Sequence, residues 1–234
     1  MKKSQLGSLL TIFLLIPATL FLGTHLKGRW FYLTCTLIIM EVMIPFFLLF
    51  ESRKPQAREL VTIAVMCALS VAARVAVPLP AFKPMTAIIM LTGIALGPEA
   101  GFMTGAMSAF ASNFFFSQGP WTPWQMMAYG FSGFLAGSIF HKRKERKPVV
   151  LAIFGFFAIQ FVIGPMLDTC TIFTTASRLS WKFALTVLAA GVAYNLRHAL
   201  ACAVTMLLFS RPLLGKLDRL MVKYGMLDAG GNHG

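Results

Sequence analysis

Between Asn113 and Gln125 the chain reads NFFFSQGPWTPWQ, so that aromatic rings alternate with side-chain amides and two prolines stiffen the backbone. Aromatic faces take up flat or bulky apolar matter, and a few placed amides orient it. Asn113, Phe116, Gln118, Trp121, Trp124 and Gln125, with Tyr129 one turn further on, are therefore candidate substrate-binding residues. A lipid-interface belt also enriches tryptophan, but as isolated anchors rather than rings interleaved with amides. Two other connections carry compatible groups. Arg74–Pro84 holds Pro78, Pro80, Phe82 and Lys83, and Asp168–Lys182 holds Thr171, Thr174, Thr175, Arg178 and Trp181. Within the last apolar run, Tyr194, Asn195, Arg197 and His198 place polar groups at membrane depth, as Glu41 does in the second run. Ionisable groups there are costly and face a cavity or one another, so Arg197 either contacts ligand or pairs with Glu41 or Asp168.

The chemistry of catalysis is missing from the same inventory. There are eight acidic residues, no H-E-x-x-H, no paired carboxylates in the apolar runs and no G-x-x-x-x-G-K-[ST] phosphate loop. The four cysteines, Cys35, Cys67, Cys170 and Cys202, lie far apart, without metal-ligand spacing. The expectation is a binding or transport protein with no cofactor and no metal, not an enzyme.

These groups must be held by membrane helices. The chain has 234 residues, of which 57% are hydrophobic and 12% charged, and its mean hydropathy is +0.74. A soluble domain averages about 25% charged residues, so this composition predicts an all-α, polytopic bundle in a cell membrane. Spans of about 20 apolar residues are required because the hydrocarbon satisfies no backbone polar group. Eight segments emerge: 6–26, 30–50, 60–77, 85–96, 101–116, 124–140, 149–167 and 183–210. The fourth and fifth are short and share the Gly97–Ala100 turn, which suggests a hairpin of half-length helices.

The net charge of +13 would point to nucleic acid in a soluble protein, but here it follows from topology. Lys2, Lys3, Arg53, Lys54, Arg58, the five cations of 142–147, Arg211, Lys216, Arg219 and Lys223 fall on one side. Only Lys27, Arg29, Arg74, Lys83, Arg178 and Lys182 fall on the other. The positive-inside rule then places both termini in the cytoplasm and the aromatic connections outside. The polar stretch Glu51–Glu59 divides the chain into a two-helix segment, residues 1–56, and a six-helix domain, residues 57–225, with a disordered tail at 226–234. Leu213, Leu214, Leu217, Leu220 and Met221 recur at helical spacing, predicting an amphipathic helix lying on the inner surface.

Small residues mark where helices approach closely. Gly93, Gly97, Gly101 and Gly105, like Gly130, Gly133 and Gly137, are assigned to packing. Ala64, Ala68 and Ala72 line one face of the third helix, either for packing within the chain or for docking another membrane subunit.

The stretches ARELVTIAVMCALSVAAR, GIALGPEAGFMTGAMSAFASNFFFSQGPWTPWQMMAYGFSGFLAG and YNLRHA through RPLLGKLDRLMVKYG resemble the substrate-binding S components of energy-coupling factor (ECF) transporters over residues 57–225. The resemblance implies a six-helix domain that captures a vitamin outside the cell through its first, third and fifth loops. It also implies docking through Ala64, Ala68 and Ala72 onto a transmembrane coupling subunit that two cytoplasmic ATPase subunits drive. The pair of helices before residue 57 is a departure from the family core. The GPWTPWQ block is most similar to the cobalamin and corrinoid subgroup, with riboflavin or another flat vitamin as the alternative. A standalone secondary transporter, which would show an inverted repeat and ion sites, is the rival reading.

Overall fold

The computed structural model describes residues 3–24, 29–77, 79, 82–143, 146–175 and 180–225. They form a helical membrane bundle: α1 (Lys3–Leu10), α2 (Ile16–Thr24), α3 (Arg29–Ser52), α4 (Ala57–Ala76), α5 (Met85–Leu96), α6 (Pro98–Phe116), α7 (Trp121–Phe140), α8 (Pro148–Ala158), α9 (Gly164–Thr175) and α10 (Trp181–Lys223). Single π-helical turns at Thr11–Leu15 and Ile159–Ile163 join α1 to α2 and α8 to α9. The described residues therefore make eight rods, matching the eight predicted segments in number.

At the centre stands α5, whose twelve residues are all buried. At 1.5 Å per residue it is about 18 Å long, too short to cross some 30 Å of hydrocarbon, and the surrounding helices shield it from lipid. The expected hairpin of half-length helices needs correction on one side only, because α6 has 19 residues. Glycine explains how three helices meet. A Cβ built on Gly93 would lie 2.1 Å from the Gly133 carbonyl oxygen, one on Gly101 2.6 Å from the same atom, and one on Gly105 2.2 Å from the Tyr129 carbonyl oxygen. The backbones of α5, α6 and α7 thus touch along a seam that no side chain fits, which is how helices in lipid gain close dispersion contact. Gly97 adopts φ +103° between α5 and α6, a conformation that favours glycine.

Of the N-terminal helices, α3 packs against α6 and α7, while α1 and α2 pack on α3. Phe46 stacks on Phe102 with centroids 4.2 Å apart and meets Phe134 edge-on at 5.1 Å. Glu41 is buried between α2 and α3 and accepts a 2.7 Å hydrogen bond from the Thr19 hydroxyl. It does not pair with Arg197, which is exposed and donates to the Ala193 carbonyl one turn back on its own helix.

Two further expectations are corrected. The eighth rod does not end near Ser210: α10 continues through Pro212 to Lys223, and Leu214, Leu217 and Met221 are buried in the core. The amphipathic spacing serves packing within the bundle rather than a separate helix on the lipid surface. The segment from Asp168 to Thr175 is not a loop either, because α9 runs to Thr175. Residues 226–234 lie outside the described residues.

The described ion pairs gather at the end of the bundle that carries the basic connections. Arg53 bridges Glu59 at 2.7 Å and Glu99 at 3.0 Å, and Arg146 meets Asp218 at 3.1 Å.

Candidate functional site

At the opposite end, Arg74 closes α4. It is buried, and its Nη1 donates to the hydroxyl of Ser112 and, at 3.2 Å, to the side-chain Oδ1 of Asn113, both on α6. Asn113 passes the connection on by donating to the Thr122 hydroxyl at 3.0 Å, and Thr122 donates to Gln118 Oε1 at 2.9 Å. The Gly119 N–H reaches the same hydroxyl at 3.3 Å, so the segment whose pattern suggested a corrinoid contact is a hydrogen-bonded helix start. Phe116 receives the Arg74 guanidinium over its ring at 4.8 Å and the Lys83 ammonium at 5.1 Å. Burial lowers the pKa of Lys83, and the neighbouring Arg74 charge lowers it further.

Two members of this network, Arg74 and Lys83, line one wall of a cavity of about 330 Å³. Its lining brings together seven of the residues singled out in the sequence: Arg74, Lys83, Trp121, Gln125, Tyr129, Tyr194 and Asn195. Asn113, Phe116 and Gln118 are outside the lining; the first two touch Arg74, and Gln118 accepts from Thr122. Trp124 is buried and stacks on Phe173 with centroids 5.5 Å apart, tying α7 to α9 instead of facing the cavity. His198 is buried beneath, 2.8 Å from the Thr86 hydroxyl and edge-on to Tyr129 at 6.1 Å. Phe82 lies half-buried in the α4–α5 connection, away from the lining, and Arg197 also points elsewhere. Arg178 lies outside the described residues.

α9 completes the lining with Leu167, Asp168, Cys170 and Thr171. Asp168 accepts a 2.8 Å hydrogen bond from Asn195 Nδ2, so the alternative Asp168–Arg197 pair does not form. The apolar run stops at Leu167, and the polar residues after it read as a loop. Their three- and four-residue spacing was the available signal that one helical face continues.

Two buried polar atoms on lining residues, Arg74 Nε and Gln125 Oε1, have no protein partner. Buried polar groups are almost always satisfied, so an unspent donor and an unspent acceptor on two residues of one cavity lining mark that cavity out for a polar ligand. The described residues contain no group of His, Cys, Asp or Glu able to hold a metal.

A second hollow of about 660 Å³ runs along α4 and α6 and is lined by apolar side chains and the Cys67 thiol. Ala64, Ala68 and Ala72 are exposed in it, so the alternative of packing within the chain does not apply to them.

Comparison with curated proteins and with solved structures returns no match. The family model described as the ECF-type riboflavin transporter, S component, matches residues 54–214, which include both hollows and omit the N-terminal helix pair. The chain is a multi-pass membrane protein, a transport component rather than an enzyme, and it belongs to the family of ECF-type riboflavin transporter S components.

Proposed function

We propose that the chain captures riboflavin at the extracellular face, in the cavity between α4, α7, α9 and α10, for import powered by partner subunits. The observation that carries this reading is the lining: aromatic side chains Trp121, Tyr129 and Tyr194 beside the unsatisfied donor of Arg74 and acceptor of Gln125. A flavin ring presents carbonyl acceptors and an imide N–H along one edge, complementary to that donor and acceptor, and flat faces for the aromatic walls. Ligand cavities range over about 300–1,000 Å³, and 330 Å³ lies at the end that suits a tricyclic vitamin. A corrinoid is several times larger. The cobalamin reading rested on the GPWTPWQ block, whose residues are spent largely on starting α7, and the family match favours riboflavin in its place.

The second hollow is the docking face for a transmembrane coupling subunit, with Ala64, Ala68 and Ala72 admitting a close helix, and two cytoplasmic ATPase subunits supply the energy. In this reading both termini and the Arg53 and Arg146 ion pairs lie on the cytoplasmic side, which the excess of cations in the connections there supports.

Calorimetry of the detergent-purified protein with riboflavin, cobalamin and cobinamide tests the substrate. Submicromolar affinity for riboflavin alone is the expected result. Tighter binding of either corrinoid, or no binding of riboflavin by folded protein, overturns the reading.

A further inference from the structure

The cavity is chemically divided. Arg74 and Lys83 face it from α4 and the connection after it, and neither has a carboxylate within ion-pair distance among the described residues. Asp168, Thr171 and Asn195 face it from α9 and α10. Trp121, Tyr129 and Tyr194 add aromatic side chains to the lining.

The Asp168–Asn195 pair is seated by two reciprocal absences of side chain. A Cβ on Gly191 of α10 would lie 2.3 Å from Asp168 Oδ2, and one on Gly164 of α9 would lie 2.4 Å from Asn195 Cγ. Each helix therefore leaves room for the polar side chain of the other. The carboxylate is fixed by the 2.8 Å bond from Asn195 while it lines the cavity, and Thr171 stands one turn beyond it on α9.

We infer that Asp168 is the specificity-determining residue that receives the polyol chain of a flavin and makes the site select free riboflavin over its phosphate ester. The inference rests on the flavin reading above. With the carbonyl edge of the ring at Arg74 and Lys83 and its imide N–H at Gln125, the ribityl hydroxyls extend toward Asp168, Thr171 and Asn195. A carboxylate accepts hydrogen bonds from hydroxyls, and bonds to an ionised acceptor are the stronger kind. A terminal phosphate would bring up to about two negative charges against that carboxylate. A built-in repulsion of this kind is how sites reject close analogues that attraction alone would admit.

The test measures equilibrium binding of riboflavin, flavin mononucleotide and lumiflavin, which has the ring without the polyol, to the full chain and to Asp168→Asn. The wild type is expected to favour riboflavin over the mononucleotide by about tenfold or more. Asp168→Asn keeps the size and a hydrogen bond to Asn195 while removing the charge. It is expected to weaken riboflavin by about threefold to tenfold, to strengthen the mononucleotide, and to leave lumiflavin within about twofold. A preference unchanged in Asp168→Asn overturns the inference, as does equal loss of lumiflavin and riboflavin, which would mark Asp168 as a structural residue only. A wild type that binds the mononucleotide as tightly as riboflavin overturns it too, since the phosphate would then be held by Arg74 and Lys83. A wild type that binds none of the three flavins overturns the substrate reading itself, and this result is distinct from the others.

Discussion

The two hollows of the bundle share α4 and differ in everything else. The smaller one, about 330 Å³, carries cations, a carboxylate, amides and aromatic rings at the helix ends. The larger, about 660 Å³, is apolar along the side of the bundle. Volume alone would pick the second as the ligand site. The proposed ligand site is the first, because an apolar groove facing lipid gains nothing from a polar vitamin, while buried donors and acceptors without partners are costly until a ligand meets them. One helix serves both because its faces are separate: Ala64, Ala68 and Ala72 are exposed to the groove, and Arg74 is buried at the cavity.

The largest expected effect comes from a change that destroys both hollows together. Gly101→Leu pushes a side chain into the Gly133 backbone on α7, where a Cβ alone would stand 2.6 Å from the carbonyl oxygen. The expected cost is about 3 kcal/mol or more. Gel filtration in detergent should show loss of the folded species, and a monodisperse protein with wild-type melting would show that the seam is not needed. Ala68→Trp separates the hollows instead. Uptake by cells should fall to the background of cells lacking the protein while riboflavin affinity of the purified variant stays within about twofold. Equal loss of both would remove the docking assignment.

Arg74→Ala strikes the cavity side of the same helix. Losing a buried charged donor costs about 2–5 kcal/mol, so affinity should drop by at least about thirtyfold, with uptake falling in parallel. Unchanged affinity would move the ligand elsewhere. Trp121→Ala should lower affinity by about tenfold through lost ring contact. Trp124→Ala should lower melting temperature more than affinity, because Trp124 is buried on Phe173. The reverse order would exchange their roles. The smallest effect is expected for Arg53→Ala, whose half-exposed bridge to Glu59 and Glu99 is worth at most about 1 kcal/mol.

Much of this comparison was legible beforehand, and the reasons are local. Span length and composition suffice to count helices, since lipid admits few other structures, and the glycine spacing marked the α5–α7 seam. Tryptophan, glutamine and arginine near span ends pointed at the cavity because polar and aromatic groups gather where helices end in water. What escaped was depth and direction. Trp121 and Trp124 are three residues apart and were equal candidates, yet one lines the cavity and the other is buried between helices. Arg197 and His198 are adjacent, and a helical step of about 100° sends the first outward and the second into the core. Asp168 and Thr171 read as part of an outer connection, and their place on a helix escaped because hydropathy falls at Asp168 while the helix does not stop.

Helices α4 and α10 run in opposite senses. At one end Arg58 donates to the Tyr224 carbonyl at 3.3 Å and lies over its ring at 5.3 Å, just past the end of α10, whereas at the other Arg74 and Asn195 share only a cavity. The two rods are thus latched below and open above. A ligand that touches both Arg74 and Asn195 would supply the missing upper tie, and the same rod that carries it, α4, presents its other face to the groove.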